Sequence, residues 1–374
     1  MRGLLAVVAV VAAATCLAPL PGYAAYAPRD SLATWIATQY DVSMARIVQS
    51  VQPNGAIYAS PSRKDPDYYY FWTRDGGLTM DALASQLGTN ATAYGVLFER
   101  FTRFTAQIQS TPNPSNSVGE PKFNMDGTAF TAPWGRPQND GPAIRAFALA
   151  AYLGHLRRQD PNARVDHLYN PDLRVPSPIK TDLEYVSHRW RDSSFEIWEE
   201  VRGHHFYTRL VQHKSMRDGA KLAAQMNDPG AAAWYARQAD AIEATLGDFW
   251  DPARNYIMTT LGRDGGLAYK MSNIDNQVIL AALHAGDEST GLFAPWDDRV
   301  LATAKTIIDA FRPLYRINTG NPQLAPAIGR YPEDCYDGVG ITSGNPWMLN
   351  TAAHAELLYR AYLQWARTGQ VAVT

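Results

Sequence analysis

Apolar side chains recur at helical spacing in segment after segment of this chain, and strand-like alternation is scarce. Residues 91–109 are the plainest case. Tyr94, Leu97, Phe98, Phe101 and Phe104 share one face there and read as core. Asp30-Ser31 caps a helix reaching residue 51, with Leu32, Trp35, Ile36, Ile47 and Val48 on its stripe. Further helices are predicted over 78–87, 141–157, 183–190, 205–226, 230–246, 273–285, 299–314 and 345–365. A chain patterned this way must bury its stripes by packing helix on helix, so the fold class is all-α, a toroid or solenoid.

The segments between the helices are where charge and aromatic rings collect. Residues 111–140 are long, irregular and rich in Pro, Asn and Gly. A stretch like that inside a compact domain is usually functional. Phe195-Glu196-Ile197-Trp198-Glu199-Glu200-Val201-Arg202-Gly203 puts three carboxylates within five positions around one tryptophan. Taken alone it is a charged turn with a half-buried ring. Taken with its neighbours it suits sugar chemistry. A carboxylic acid held neutral can protonate a glycosidic oxygen, a second carboxylate can activate water, and an indole is a flat plate for a pyranose. Arg74 and Asp75 add a planar donor fork and an acceptor, the pair a polyhydroxylated ligand needs. Asp75 also reads as a helix N-cap.

Bulk properties exclude several other functions. Lys+Arg number 34 against Asp+Glu 36, and no basic block occurs, so nucleic acid is not an expected partner. No Cys/His cluster has zinc spacing, and neither metal nor organic cofactor is implied. Residues 1–27 read as a signal peptide. Arg2 is followed by an apolar run from Leu4 to Ala18, with Ala25-Tyr26-Ala27 or Tyr23-Ala24-Ala25 at the cleavage point. Pro19 and Pro21 cut the run short of a bilayer span. The expectation is a secreted, extracellular monomer, free of the membrane after cleavage, with residues 28–374 forming one catalytic domain. Cleavage removes Cys16 and leaves Cys335 unpaired. Asn90-Ala91-Thr92 is a glycosylation acceptor in a eukaryotic host.

Five segments together resemble the glucoamylases, inverting exo-glucosidases acting on starch. They are the Phe195–Gly203 stretch, Asp67-Tyr68-Tyr69-Tyr70-Phe71-Trp72-Thr73-Arg74-Asp75-Gly76-Gly77-Leu78, Gly119-Glu120-Pro121-Lys122-Phe123-Asn124, Trp134-Gly135-Arg136-Pro137-Gln138-Asn139-Asp140-Gly141-Pro142, and Gly329-Arg330-Tyr331-Pro332-Glu333-Asp334 with Gly344-Asn345-Pro346-Trp347. They occur in the family's order and cover the chain from about residue 31 onward. The resemblance implies an (α/α)6 barrel, six inner helices within six outer ones, with the site at the mouth formed by the loops. The helices read above are too few for twelve, so the barrel is expected to lack its last ones.

The resemblance also implies roles. Glu199 is the general acid, with Trp198 and Ile197 as apolar surface beside it. Glu196 is a possible second carboxylate, or a residue that tunes Glu199 or holds its loop. Tyr68, Trp72, Arg74, Asp75, Trp198, Glu200, Arg330, Asp334 and Trp347 bind substrate or wall the pocket, and Trp134 is a sugar platform. The sequence departs from the family at Ser193-Ser194-Phe195, where a glycine is usual, and in a lengthened loop between Cys335 and Gly344. The family's general base is a Glu in a later segment, beyond the point matching residues 370–373. No equivalent is found upstream. The expected function is release of glucose from non-reducing ends of α-1,4-glucans with inversion. The alternatives are an inactive, truncated maltooligosaccharide-binding protein, or a glucosidase for trehalose or dextran.

Overall fold

The computed structural model describes residues 31–371. The expected signal peptide and Cys16 lie outside the described residues.

Helices dominate and come in outer–inner pairs. The outer helices are α1 (Leu32–Ser50), α3 (Ala91–Ser110), α5 (Pro178–Arg189), α7 (Pro229–Leu246) and α9 (Asp298–Phe311). The inner ones are α2 (Thr73–Ala84), α4 (Gly141–Gln159), α6 (Phe206–Gln225), α8 (Gln277–Ala285) and α11 (Met348–Thr368). A single turn, α10 (Arg316–Thr319), lies between α9 and α11. Along the inner ring α2 packs on α4, α4 on α6, α6 on α8 and α8 on α11. This is an α/α barrel, with five inner–outer pairs among the described residues.

Position in the barrel explains each helix's sequence. Outer α3 buries only one face, through Leu97, Phe98, Phe101, Phe104 and Ile108. Its stripe is therefore clear. Inner α4 is buried continuously from Gly141 to Leu149, and α8 from Gln277 to Ala282, so these stretches are mostly apolar all round, with Arg145 and Gln277 as buried polar exceptions. Capping follows expectation at the outer starts. Ser31, Asn90 and Asp228 each accept from the backbone N–H three residues on. Aromatic side chains stay exposed on α11, where Tyr359 and Tyr362 are 62% and 64% exposed, and on α1, where Trp35 is 58% exposed.

The structure moves several helix starts, including those of α8, at Gln277 and not 273, and α11, at Met348 and not 345. Residues 73–77 are helical, not the loop before a helix at Leu78. A Cβ on Gly76 would lie 2.4 Å from the Phe71 ring, and one on Gly77 2.8 Å from Ile144. These glycines let α2 lie close against its neighbours and do not break it. Trp72 holds the N-cap position, and Asp75 sits in the first turn instead. Helix α5 starts at Pro178, five residues before the expected Leu183.

Short strands at the mouth carry the site. β1 (Phe71–Trp72) pairs antiparallel with β2 (Lys122–Phe123), setting Trp72 opposite Lys122. β3 (Ser194–Phe195), β4 (Val201–His205) and β7 (Thr260–Gly266) form a sheet in that order. β5 (Trp250–Asp251) and β6 (Tyr256–Ile257) form a separate ribbon. The three-carboxylate stretch is thus the turn of the β3–β4 hairpin.

Candidate active site

Glu199 occupies a strained place in that turn. Its N–H donates to Glu196 O at 2.9 Å, and its φ is 70°. The left-handed region costs a non-glycine residue about 1–2 kcal/mol, and such positions persist where surrounding contacts hold them. Here the surroundings are close. A Cβ on Gly135 would lie 2.5 Å from Glu199 O, so the 131–137 loop presses on the backbone of Glu199.

The Glu199 carboxyl is held asymmetrically. Trp72 Nε1 donates to Oε1 at 2.6 Å, and Gln138 Nε2 donates to the same oxygen at 3.1 Å. An oxygen facing two N–H groups must be an acceptor. Oε2 accepts or donates no hydrogen bond among the described residues, so a proton on this carboxyl belongs on Oε2. One oxygen is thus fixed and the other is available to a ligand.

Glu196 is oriented inward. It is 1% exposed. Oε1 accepts from the N–H groups of Glu200 and Val201 at 3.0 and 3.2 Å, and Oε2 accepts from Trp198 N–H. These contacts hold the turn.

Arg74 ties the floor together. Nη1 donates to Gln138 Oε1 at 2.7 Å and Asp140 Oδ2 at 3.0 Å, and Nη2 donates to Ile197 O at 2.9 Å. Gln138 therefore bridges Arg74 to Glu199. Asp75 lies 4.0 Å from Arg74 Nε and makes no hydrogen bond among the described residues. Burial pushes its carboxyl up to about 6, against the pull of Arg74 and with help from Glu199 and Asp140.

A second arginine organises the opposite wall. Arg330 is bidentate on Asp334, at 2.7 Å from both Nε and Nη2, and Nη2 also reaches Glu200 Oε1 at 2.8 Å. Burial raises the Glu200 pKa, and Arg330 opposes that rise. Asp334 is spent on Arg330 and on Tyr336 N–H, and Arg330 Nη1 has no hydrogen bond among the described residues. Trp198 Nε1 donates to both oxygens of Asp275, at 2.9 and 3.1 Å. Tyr68 shares a 2.6 Å hydrogen bond with Tyr336, which joins the 61–70 loop to the lengthened 335–344 loop. The indole N–H groups of Trp134 and Trp347 are buried without partners among the described residues.

The structure thus gathers all the sequence-derived site residues around one mouth. It adds others that the sequence did not single out. Gln138 and Asp140 hold Arg74. Asp275 and Lys270, 2.5 Å apart, support Trp198. Glu120, fully buried, pins the 111–140 loop through Arg136 and Ser115. Gln138 and Glu120 sit inside the quoted motifs, so position was available as a signal. Lys270 and Asp275 lie in a segment with no such mark. A cavity of about 780 Å³ runs from Arg74, Asp75, Ile197 and Trp198 along the barrel axis to Glu356 and Arg360.

Architecture and mouth define a helical barrel whose loops surround one carboxyl group held between N–H donors. Residues 39–374 match glycosyl hydrolases family 15, and the chain belongs to that family. It is 38% identical to Glucoamylase 1 of Rhizopus oryzae over 354 residues, covering 92% of this chain and 57% of the relative. It is 39% identical to a glucoamylase of Blastobotrys adeninivorans, covering 86% and 53%. The chain therefore spans somewhat over half the length of these relatives. Among solved structures, the family 15 glucoamylase of Hypocrea jecorina aligns with a TM-score of 0.83 at 34% identity, over 92% of this chain and 58% of that one. The glucoamylase of Saccharomycopsis fibuligera aligns at 0.81 and 31% identity, over 90% and 75%.

Proposed function

We propose that this chain carries the acid and the sugar-holding pocket of a secreted hydrolase that releases glucose from non-reducing ends of α-1,4-glucans with inversion. The observation that carries the reading is Glu199, fixed through Oε1 by Trp72 and Gln138 with Oε2 free. Oε2 protonates the glycosidic oxygen as the bond to the sugar breaks. The ring lies among Tyr68, Trp72 and Trp198, with Trp134 as a platform beyond the scissile bond. Asp75, Glu200 and Arg330 Nη1 take its hydroxyls. Water attacks the opposite face of the sugar under a general base, and the product is the β-anomer.

A second reading is binding without hydrolysis. Around Glu199 the carboxylates of Glu196, Asp140, Asp275, Glu200 and Asp334 all accept hydrogen bonds or ion pairs from the chain itself. Asp75, by contrast, makes no hydrogen bond among the described residues. The test is glucose release from maltoheptaose by the folded chain and by Glu199→Gln, with the product anomer followed by NMR and with trehalose and dextran as competing substrates. Release of β-glucose that the substitution abolishes supports the hydrolase. Tight binding with no release supports the second reading. α-Glucose as first product would overturn inversion.

A further inference from the structure

Lys122 is a buried cation with no carboxylate against it. The residue is 3% exposed. Four aromatic rings surround its ammonium, with centroids 3.7 Å away at Trp134, 4.0 Å at Phe130, 4.1 Å at Tyr70 and 4.5 Å at Trp72. No hydrogen bond to its Nζ occurs among the described residues. Aromatic cages of this kind ordinarily receive a ligand cation. This one is filled from within the chain.

The backbone builds the cage. The β1–β2 register sets Lys122 directly across from Trp72, and Thr73 N–H donates to Pro121 O at 2.9 Å. The rings then pack edge to face around it: Tyr70 on Trp72 at 6.2 Å, Tyr70 on Phe130 at 5.3 Å and Phe130 on Trp134 at 5.5 Å. Trp72 and Trp134 are themselves 5.9 Å apart. One of these two indoles donates to Glu199, and the other has its N–H buried without a partner among the described residues.

We propose that Lys122 is a positioning residue whose protonated ammonium fixes the planes of Trp72 and Trp134, and through Trp72 the orientation of the Glu199 carboxyl. The purpose of the held rings rests on the hydrolase reading. The clamp itself does not, because it can be read from the indoles without turnover.

Stability alone gives no reason for the charge. Burial brings the Lys122 pKa down to about 8, against the Glu199 and Asp67 carboxylates, which raise it, and with Arg136, which lowers it further. These charges come from the 196–200 turn, the 61–70 loop and the 131–137 loop, the elements packed around the cage. A lowered lysine pKa means that the folded chain sheds this proton before the unfolded chain does. Stability therefore rises as pH climbs from about 8 toward the ordinary lysine range, and the charge is unfavourable below it.

The experiment follows the indole N–H resonances of the whole chain, with tryptophan labelled with nitrogen-15, between about pH 6 and pH 10. Trp72 and Trp134 are assigned by single replacement with Phe. In the native chain both resonances shift together with a midpoint near 8. In Lys122→Met they sit at all pH values where the native ones lie at the alkaline end. In Lys122→Arg, which keeps the charge, they hold the acidic positions throughout. Resonances of Lys122→Met that coincide with the native acidic positions would overturn the clamp. If Lys122→Met does not fold, the native titration decides, and two indoles that fail to move together would overturn it equally.

Discussion

Trp72 and Glu199 are 127 positions apart in sequence and 2.6 Å apart in the fold, indole nitrogen to carboxyl oxygen. The contact makes Oε1 an acceptor, which under the proposed hydrolase reading leaves Oε2 for the acid proton. Removing it leaves Oε1 with Gln138 alone. Trp72→Phe keeps an aromatic ring in the cage and deletes the N–H. A hydrogen bond to a charged or ionisable group contributes about 1.5–3 kcal/mol, so kcat on maltoheptaose is expected to fall roughly tenfold to a hundredfold. Steady-state kinetics beside a thermal melt separate this from unfolding. Unchanged kcat in a folded variant would remove Trp72 from the acid's support.

The pH dependence of ligand binding should report Asp75. Its carboxyl is pushed up to about 6 by burial. As pH falls through 6 it takes a proton and becomes a weaker acceptor for a sugar hydroxyl. The expected outcome is weaker maltoheptaose binding to Glu199→Gln below that pH, measured by calorimetry, with the inflection absent when Asp75→Asn is added. For stability the sign is opposite. A raised carboxyl pKa favours the protonated fold, so stability declines as pH rises through the window from the ordinary Asp value to 6.

The helices were legible where they are amphipathic. α3 and α1 could be read within a residue or two, because an outer helix shows one buried face and its cap is a Ser or Asn. The start of α2 was not, since Gly76 and Gly77 carry the same signal for a turn as for close packing. Only their neighbours in space, Phe71 and Ile144, distinguish the two. Within the site, Glu199, Arg74 and Trp134 were legible through the motifs that resemble the glucoamylases. The working arrangement was not. That Gln138 joins Arg74 to Glu199, that Arg330 reaches Glu200, and that Lys122 fills a ring cage are all products of tertiary contact.

Two glycines in helices should respond oppositely to alanine. At Gly77 a Cβ would lie 2.8 Å from Ile144 Cγ2 and 3.0 Å from the backbone nitrogen of Arg145. Gly77→Ala is expected to destabilise by about 1–3 kcal/mol through overpacking between α2 and α4. Gly230, in the first turn of α7, meets nothing within 4 Å. Gly230→Ala should stabilise by about 0.5–1 kcal/mol by lowering the entropy of the unfolded chain. Urea melts of both variants check the pair, and equal effects would contradict the packing described for α2.

A buried ion pair crosses the joint between α4 and α5. Arg145 donates through Nε and Nη2 to Asp182 at 2.7 and 2.6 Å, and Gln109 of α3 donates to the same carboxylate at 2.8 Å. Both charged side chains are 1% exposed or less. Removing either partner strands the other without water, a loss of about 3–5 kcal/mol. Arg145→Met is thus expected to lower the urea midpoint severely. Arg145→Met with Asp182→Leu, which leaves no stranded charge, should recover much of the loss. If the double variant were as unstable as the single one, the pair would matter for packing shape and not for charge, and the inner and outer rings at this point would be joined by volume alone.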